Sequence, residues 1–495
     1  MKKIKYILLI TGVVLGSVSC KKAIDVSPTS TITSTSFFKT QDDVTGALRG
    51  MYVQLRGPAT SDLFFMGEGR SEVLTSAVAG TTGLDRYYNN TLNVSNPGPN
   101  WMGLYATINT ANLLIKYIPT ITFTSAAVKN NSLAQAYSMR AFVYFALART
   151  WGGVPIKLEA TESYDPVAVQ VARSSVEDVF KLIKSDIEMA LSLYPTNSPD
   201  TNRDMWSKPA TSALKGDVFL WTGKVMNGGA ADFTTALNAL NDIPATDYLL
   251  LPNYSDIFSY TNKGNKEELM AVRFQQGDFA PNTGHNYFAN MYVTSLSNAT
   301  PATVAFVGAV GVGNTGNNIM QVSALVRNQF TTDDQRRLGT FYEIFDNAAI
   351  PKYVTSITTK GAGTVIGGVR YFYTDVILYR YADVLLMKAE AKNALSQDPS
   401  TEINQVRQRA YGANYAAHVF VSGSKQANDD AILKERLLEL CTEGKRWWDL
   451  VRFGQAFNLV PSLAGKSAQT YLLLFPIGQT LRGLEPLVTE NPGWQ

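Results

Sequence analysis

The strongest constraint on the fold is a ten-residue helical pattern that occurs three times along the chain. The copies begin at Arg140, Lys215 and Tyr381 and read RAFVYFALAR, KGDVFLWTGK and YADVLLMKAE. Each copy has a small residue second, a valine fourth and bulky apolar residues after it. A small side chain lets a neighbouring helix approach closely, and bulky ones fill the space between helices. The pattern predicts an all-α chain built from packed helix pairs.

Each copy has a predicted helical partner nearby. The partners lie at about 101–118 before the first copy, at 174–194 before the second, and at 402–411 and 429–453 after the third. Stacked helix pairs with small residues at fixed positions resemble tetratricopeptide repeats, which form a superhelix. The copies are too far apart for consecutive repeats. Large insertions therefore interrupt the helical scaffold.

The start and end of the 174–194 helix can be predicted from local signals. Ser174 and Glu177 have the spacing of a capping box, in which each side chain binds the backbone of the other residue. Pro195 predicts the end of the helix, because proline cannot continue it.

Two loop-rich insertions, at about 60–100 and 255–375, separate the helical segments. The first contains GLDRYYNNTLNVSNPGPNW (83–101), which combines turn-forming residues, amides and aromatic rings. The second contains the stretch 279–326, which has no Asp, Glu, Lys or Arg and carries HNYFANMY (285–292). Long ordered loops on a rigid scaffold are often functional.

The N-terminus predicts export and lipid anchoring. MKKIKYILLITGVVLGSVSC has a basic start and an apolar run too short to span a bilayer. Residues 16–20 resemble the lipobox of bacterial lipoproteins, except for Ser17 where leucine is usual. We expect a signal peptide at 1–19, lipidation of Cys20, and a Ser/Thr-rich tether over 20–36.

Charge and rare residues exclude several kinds of function. The formal charge of +3 disappears with Lys2, Lys3 and Lys5 of the signal peptide, which argues against nucleic acid as a partner. The only cysteines are Cys20 and Cys441, so a disulfide framework is not expected. The chain has two histidines in all, and we expect neither a metal site nor a cofactor.

Several segments, in this order, resemble the SusD/RagB family of outer-membrane nutrient-binding lipoproteins of Bacteroidetes. The resemblance spans nearly the whole chain. One departure is FPIG (475–478), where the family usually has Pro-Ile-Pro, and we expect a local loop change there. The matching segments are TSFFKTQDDVTGALRGMY (35–52), MRAFVYFALARTWGGVPI (139–156), RYADVLLMKAEA (380–391), INQVRQRA (403–410), ILKERLLELCTEGKRWWDLVRFG (432–454) and TENPGW (489–494).

The resemblance implies one domain over 37–495, a right-handed superhelix of tetratricopeptide-like helix pairs with an irregular half packed on it. It also implies a partner, a SusC-like TonB-dependent transporter covered by the protein as a lid. The usual cargo is an oligosaccharide, and some relatives are associated with peptides. We therefore expect a surface glycan-binding lipoprotein of the outer membrane that is not an enzyme. The alternative is a peptide-capturing RagB-like protein.

The stretch ERLLELCTEGKRWWDLVRFG (435–454) admits a catalytic alternative. Retaining glycosidases need two carboxyls about 5–5.5 Å apart, and residues four apart on a helix have Cβ atoms about 5–6 Å apart. Glu435, Glu439 and Glu443 meet that spacing. Leucine and tryptophan surround them, however, and buried carboxylates must be paired. We expect Arg436, Arg446 and Arg452 to form structural ion pairs with them.

The ligand site is predicted in the insertions. Aromatic rings offer flat apolar platforms to sugars, and amides bind hydroxyls as donors and acceptors. The uncharged stretch 279–326 admits three interpretations: it contacts the ligand, it contacts the transporter, or it packs on its own protein. The predicted ligand-binding residues are Arg70, Tyr87, Tyr88, Asn100, Trp101, Tyr287, Phe288 and Tyr292.

Overall fold

The computed structural model describes residues 33–80, 83–162, 165, 169–277, 286–293, 295–308 and 317–494. The predicted signal peptide, Cys20 and most of the tether lie outside the described residues. No described helix combines the length and the apolar character needed to cross a membrane.

The scaffold consists of long helices that fall into two groups, before and after the second insertion. Shorter helical turns connect them or lie within the insertions. The longer helices are α1 (Gln41–Ala59), α2 (Met102–Tyr117), α3 (Ala126–Trp151), α4 (Val176–Leu193), α5 (Lys208–Val225), α6 (Gly229–Asn241), α7 (Tyr381–Ala394), α8 (Ser400–Tyr411) and α9 (Lys425–Leu440), and the short helix α10 (Arg446–Arg452) follows α9. The shorter α-helices are Ser34–Phe37, Asp62–Phe64, Asp85–Tyr88, Asn286–Asn290, Pro301–Val307, Ala324–Arg327, Gln335–Thr340, Ala456–Leu459 and Gln479–Leu484. A π-helical turn covers Phe65–Gly69, and 3₁₀ turns cover Ile118–Thr120, Tyr254–Phe258, Tyr260–Asn262, Gly412–Ala417, Pro461–Leu463 and Thr470–Leu473.

The helices pack in sequential pairs, which confirms the predicted helical fold. α3 packs against α2 and α4, α5 packs against α6, and α7 packs against α8 and α9. At the small position of the second copy, a Cβ added to Gly216 would lie 2.6 Å from side-chain atoms of Leu240 in α6. Glycine is therefore required for the close approach of α5 and α6.

The predicted partner of the second copy, α4, does pack against α5, but it is not the main partner. α4 packs chiefly against α3, and the main partner of α5 is α6. No side chain caps the start of α6. The sequence therefore lacks, at α6, the capping signal that predicted the start of α4.

The capping residue of α4 also differs from the prediction. Ser175 is the N-cap, and its Oγ accepts a hydrogen bond from the Asp178 backbone N–H at 3.1 Å. The predicted cap, Ser174, lies one residue before it. Both serines are followed three residues later by an acidic side chain, so the local pattern fits either position.

The strands form small antiparallel sheets of two strands each. The pairs are β1–β3, β2–β8, β4–β5 and β6–β7. The strands are β1 (Leu74–Ser76), β2 (Glu268–Val272), β3 (Met320–Val322), β4 (Phe341–Phe345), β5 (Tyr353–Thr358), β6 (Thr364–Ile366), β7 (Val369–Tyr371) and β8 (Val376–Arg380). In the β1–β3 pair, Leu74 lies opposite Val322 and Ser76 opposite Met320. This pairing brings the two insertions together.

The structure gives a local reason why residues 475–478 differ from the family's usual Pro-Ile-Pro. Gly478 has a φ of +91°, and its backbone N–H donates to Glu490 Oε2 at 3.0 Å. Proline has a φ near −65° and no N–H. A proline at this position would therefore require a different loop conformation.

Candidate functional site

The three glutamates of the C-terminal stretch are buried and fully engaged in ion pairs. Glu435 and Glu439 lie in α9, and Glu443 follows it. Glu439 is 0% exposed. The partners are Arg336 and Arg407 for Glu435, Arg336, Arg380 and Arg409 for Glu439, and Arg380 and Lys360 for Glu443.

The interpretation of this stretch as structural ion pairs is confirmed, but the predicted arginine partners were wrong. Arg436 binds Asp383 and Asp449, each at 2.8 Å. Arg446 binds Glu72 at 2.6 Å, and Arg452 binds Glu390, Asp217 and Asp449. The glutamates instead receive arginines from distant segments. Sequence spacing shows which charges share a helix, whereas their partners depend on how the other helices and strands pack against it.

The ion pairs make the carboxyls of Glu439 and Glu443 unsuitable as general acids. Burial disfavours the charged form of Glu439, but Arg409, Arg380 and Arg336 outweigh it and hold its pKa well below the usual value. Burial likewise opposes ionisation of Glu443, and Arg380 and Lys360 lower its pKa. A general acid needs a raised pKa, so neither group suits the proton-donor role of a glycosidase.

These lowered pKa values predict a loss of stability in acid. A carboxyl with a lower pKa in the folded than in the unfolded state stabilises the fold above its unfolded pKa, about 4.3 for glutamate. That contribution falls as the pH drops below this value, by about 1.4 kcal/mol per pH unit for each such carboxyl. We expect the free energy of unfolding, measured by urea titration, to fall below about pH 4.3.

Glu439→Gln provides the control for the acid effect. This variant should be less stable than the wild type at pH 7, because three arginines lose their shared counter-charge. Its stability should also fall less steeply between pH 4 and pH 3, because one fewer proton is taken up on unfolding. If the free energy of unfolding fell equally steeply with pH in both proteins, the lowered pKa of Glu439 would be contradicted.

Three of the predicted ligand residues belong to a buried run of stacked aromatic rings, the aromatic ladder. Tyr87 stacks on Phe65 with 4.3 Å between ring centroids, and Phe65 contacts Phe64 edge-on. Phe64 stacks on Tyr287 at 4.1 Å, and Tyr287 contacts Phe288 at 4.1 Å. The ladder joins the first insertion to the second. Phe64 and Phe65 were not predicted, although the motif DLFFMGEG contains them.

Arg70 is held inside the protein. Its Nε donates to Asn90 Oδ1 at 2.7 Å and its Nη1 to the Leu474 carbonyl at 2.9 Å. Its guanidinium also lies 4.5 Å from the ring centroid of Trp447. The side chain is 0% exposed, and burial lowers its pKa to about 9.

The remaining predicted rings are buried as well. Trp101 packs edge-on against Trp151, and Tyr292 lies beneath the guanidinium of Arg370. Tyr88 is 8% exposed, and its hydroxyl is 2.9 Å from Ser76 Oγ. Asn100 is exposed, and its Oδ1 accepts the Met102 N–H at 2.9 Å. In this conformation Asn100 alone among the eight predicted residues presents an exposed side chain, and direct ligand contact by the others stays a prediction.

A surface formed by both insertions lies at the end of the β1–β3 pair, where the Ala77 N–H donates to the Ile319 carbonyl at 2.9 Å. We call this the junction surface and define it by Val78, Tyr88, Asn290 and Asn317. Val78 is 62% exposed, and Asn317 Nδ2 donates to Asn290 Oδ1 at 2.8 Å. The backbone N–H of Ala79 donates to the Asn318 carbonyl, which keeps the two segments adjacent. The segments that carry Val78, Asn290 and Asn317 are thus adjacent, and an apolar side chain combined with amides suits a sugar.

A separate groove of about 620 Å³ lies between Leu325, α9 and the segment 455–464. Its walls include the amides Gln329, Gln455 and Asn458 and the apolar side chains Leu325 and Leu459. The volume lies within the usual range of ligand pockets, about 300–1,000 Å³. Sequence analysis did not predict the groove, because segments far apart in the chain line it.

No three His, Cys, Asp or Glu side chains are grouped as metal ligands within the part of the chain that the structure describes. His418 stacks on Tyr411, and its Nε2 lies 2.8 Å from Asp333 Oδ2. His285 lies outside the described residues.

The chain is similar in sequence and structure to proteins of a known family. A sequence model of the SusD family matches residues 188–494, and a second, described as starch-binding and associating with the outer membrane, matches 24–220. SusD-like protein P38 of Formosa agariphila is 28% identical over 506 residues, covering 94% of this chain and 95% of that protein.

Two solved structures agree with these matches. B. fragilis NanU is 31% identical, covers 95% of this chain and 100% of its own, and has a TM-score of 0.84. A SusD superfamily protein of Bacteroides vulgatus is 30% identical, with 92% and 100% coverage and a TM-score of 0.82. The class is that of helical, outer-membrane-associated glycan-binding proteins. The chain belongs to the SusD family, which confirms the predicted resemblance, and the proteins of this family bind ligands rather than catalyse reactions.

Proposed function

We propose that this protein is a lipid-anchored receptor on the cell exterior that captures oligosaccharides and passes them to a SusC-like TonB-dependent transporter. It does not hydrolyse its cargo. The observation that carries the proposal is the β1–β3 pair, which joins two amide- and aromatic-rich insertions into one surface. The lipid anchor on Cys20 and the transporter rest on the family resemblance. Anchoring raises the local concentration of receptor, so modest affinity is enough.

We place the ligand on the junction surface. Val78 supplies an apolar contact for a sugar ring, and the amides of Asn290 and Asn317 bind hydroxyls in both hydrogen-bonding directions. The aromatic ladder lies in the two insertions that form this surface and holds their backbones in place. In this arrangement Tyr87, Tyr287 and Phe288 support the site from the core.

The uncharged stretch of the second insertion, 279–326, also has apolar side chains that suit the transporter. Val304 and Phe306 are 45% and 49% exposed, and Phe306 stacks on Tyr342 at 4.0 Å. Interface cores are poor in charge and rich in aromatic rings. We propose that the surface around Val304 and Phe306 contacts the transporter and that the junction surface contacts the ligand.

Titration calorimetry of Lys21–Gln495 with plant, fungal and host oligosaccharides tests the proposal. Asn317→Ala should weaken binding of the responding glycan about threefold to tenfold, the loss of one net hydrogen bond. Asn238→Ala, which removes an exposed asparagine from α6, is the matched control and should leave the affinity unchanged.

Each other result of these titrations would indicate a different site or a different ligand. Weakening by Asn458→Ala alone would move the ligand to the groove, and weakening by Asn100→Ala would favour the predicted loop residue. Binding of oligopeptides without glycans would favour the peptide alternative, which loses one of its expected contacts because Arg70 is buried. Release of reducing ends by the pure protein would contradict the absence of hydrolysis.

A further inference from the structure

The groove between Leu325, α9 and the segment 455–464 is lined by amides that have unused hydrogen-bonding atoms. Gln329 Nε2 donates to the Leu325 carbonyl at 3.2 Å, and Asn458 Nδ2 donates to Gln455 Oε1 at 3.0 Å. The other amide atoms, Gln329 Oε1, Gln455 Nε2 and Asn458 Oδ1, bind no residue that the structure describes. The groove thus offers both acceptors and a donor, which suits the hydroxyls of a sugar.

The groove is also lined by a carboxylate with one unsatisfied oxygen. Glu72 is 6% exposed, and its Oε1 accepts hydrogen bonds from Arg446 Nε at 2.9 Å and Nη2 at 2.6 Å. Its Oε2 is buried and has no hydrogen-bond partner among the described residues. A buried acceptor without a donor lowers stability. A ligand hydroxyl beside Glu72 would supply the missing donor, which a ligand carboxylate cannot do.

The rest of the lining is apolar or carries balanced charge. Leu325 and Leu459 are 50% and 40% exposed, and Pro461 is exposed as well. Asp430 and Lys434, of opposite sign, lie one turn apart on α9. The remaining charges of the lining belong to the ion pair of the preceding paragraph. The groove as a whole is therefore neutral, and it suits a neutral sugar that has both C–H faces and hydroxyls.

The groove and the junction surface lie at opposite ends of the β1–β3 pair. Glu72 of the groove precedes β1, and Val78 of the junction surface follows it. On the partner strand, Asn317 precedes β3 and Leu325 follows it. Because the strands are antiparallel, the groove residues lie at one end of the pair and the junction residues at the other. Six residues separate Glu72 from Val78, so the two ends are at most about 20 Å apart.

A direct contact joins the wall of the groove to the junction surface. Ser462 lies between Pro461 and Ala464, which line the groove. Its Oγ donates to the Tyr88 carbonyl at 2.7 Å and accepts a hydrogen bond from Asn90 Nδ2 at 2.9 Å. Tyr88 is one of the residues that define the junction surface. The contact therefore holds the two sites next to each other.

We propose that the groove is a second subsite for a neutral oligosaccharide, and that one glycan chain contacts the groove and the junction surface together. The inference rests on the proposed function and adds to it a preference for long chains over short ones. A chain of several sugar units reaches both sites, whereas a disaccharide occupies one of them. The second contact forms within the same complex, so it raises the affinity without being strong by itself.

Titration calorimetry of Lys21–Gln495 with sugars of two lengths tests the inference. The probes are maltose, laminaribiose, mannobiose and xylobiose, each compared with the hexasaccharide of its series. We expect the responding hexasaccharide to bind at least tenfold more tightly than its disaccharide, with one hexasaccharide per protein. Asn458→Ala should weaken binding of the hexasaccharide about threefold to tenfold, the loss of one hydrogen bond, and leave the disaccharide unaffected. Asn238→Ala, the matched control in α6, should leave both affinities unchanged.

Several results would overturn the inference. These are equal affinity for disaccharide and hexasaccharide, an unchanged hexasaccharide affinity in Asn458→Ala, an equal loss in Asn238→Ala, or two hexasaccharides bound per protein. No heat from any hexasaccharide would contradict the proposed function as well. Binding that does not depend on chain length, with a loss in Asn317→Ala but none in Asn458→Ala, would leave the proposed function intact and exclude the second subsite.

Discussion

Replacing Arg380 with methionine is expected to lower the free energy of unfolding by about 3–5 kcal/mol. The Arg380 guanidinium is buried, and its nitrogens lie 2.8 Å from Glu267, 2.6 Å from Glu439 and 2.8 Å from Glu443. The third nitrogen, Nη2, donates to the Glu439 backbone carbonyl at 2.7 Å. Methionine fills part of the volume but leaves three buried carboxylates with less counter-charge. Urea titration at pH 7, followed by circular dichroism, measures the change.

A surface ion pair provides the contrast. Lys116 pairs with Glu162, and its side chain is 48% exposed. Lys116→Met should change stability little, because water replaces the lost partner and exposed pairs contribute little. Combining Arg380→Met with Glu443→Gln should recover part of the loss, since one of the unpaired charges is removed. Equal effects of the Arg380 and Lys116 substitutions would contradict the structural role of the buried pairs.

Gly67→Ala is expected to destabilise the protein by about 3 kcal/mol, at the upper end of the usual overpacking cost. A Cβ on Gly67 would lie 1.8 Å from the Gly444 carbonyl oxygen and 2.9 Å from the Trp448 ring. The nearest atom belongs to the backbone, so a change of rotamer cannot relieve the clash. The π-helical turn would have to move away from the segment between α9 and α10. Thermal and urea unfolding both report the loss.

Gly46→Ala is the matched control. Gly46 lies inside α1, and nothing lies within 4 Å of an added Cβ. Alanine is the better helix former, so this variant should be more stable by about 0.5–1 kcal/mol. If both alanine variants lost stability equally, a general sensitivity of glycine positions would explain the result, and the close contact of Gly67 with Gly444 would not.

The gap between predicted and observed site residues has a physical explanation. Aromatic rings in a loop-rich segment suit either a ligand platform or a small core beneath the loops, and composition is the same in both cases. Tyr87 and Tyr287 took the second role because β1 and β3 bring two insertions face to face, and their rings pack in the space between them. Amides such as Asn317 were left at the surface, because a buried amide must find partners for all its polar atoms.

By itself, the sequence determined the helical scaffold, the order of its segments and the burial of charges in the C-terminal stretch. These properties depend on the spacing of apolar and small residues within a helix, which is local information. Only the tertiary structure decided which arginine neutralises which glutamate, and that α6 rather than α4 is the main partner of α5. Each of these depends on contacts between segments far apart in the chain, where spacing along the sequence carries no information about distance.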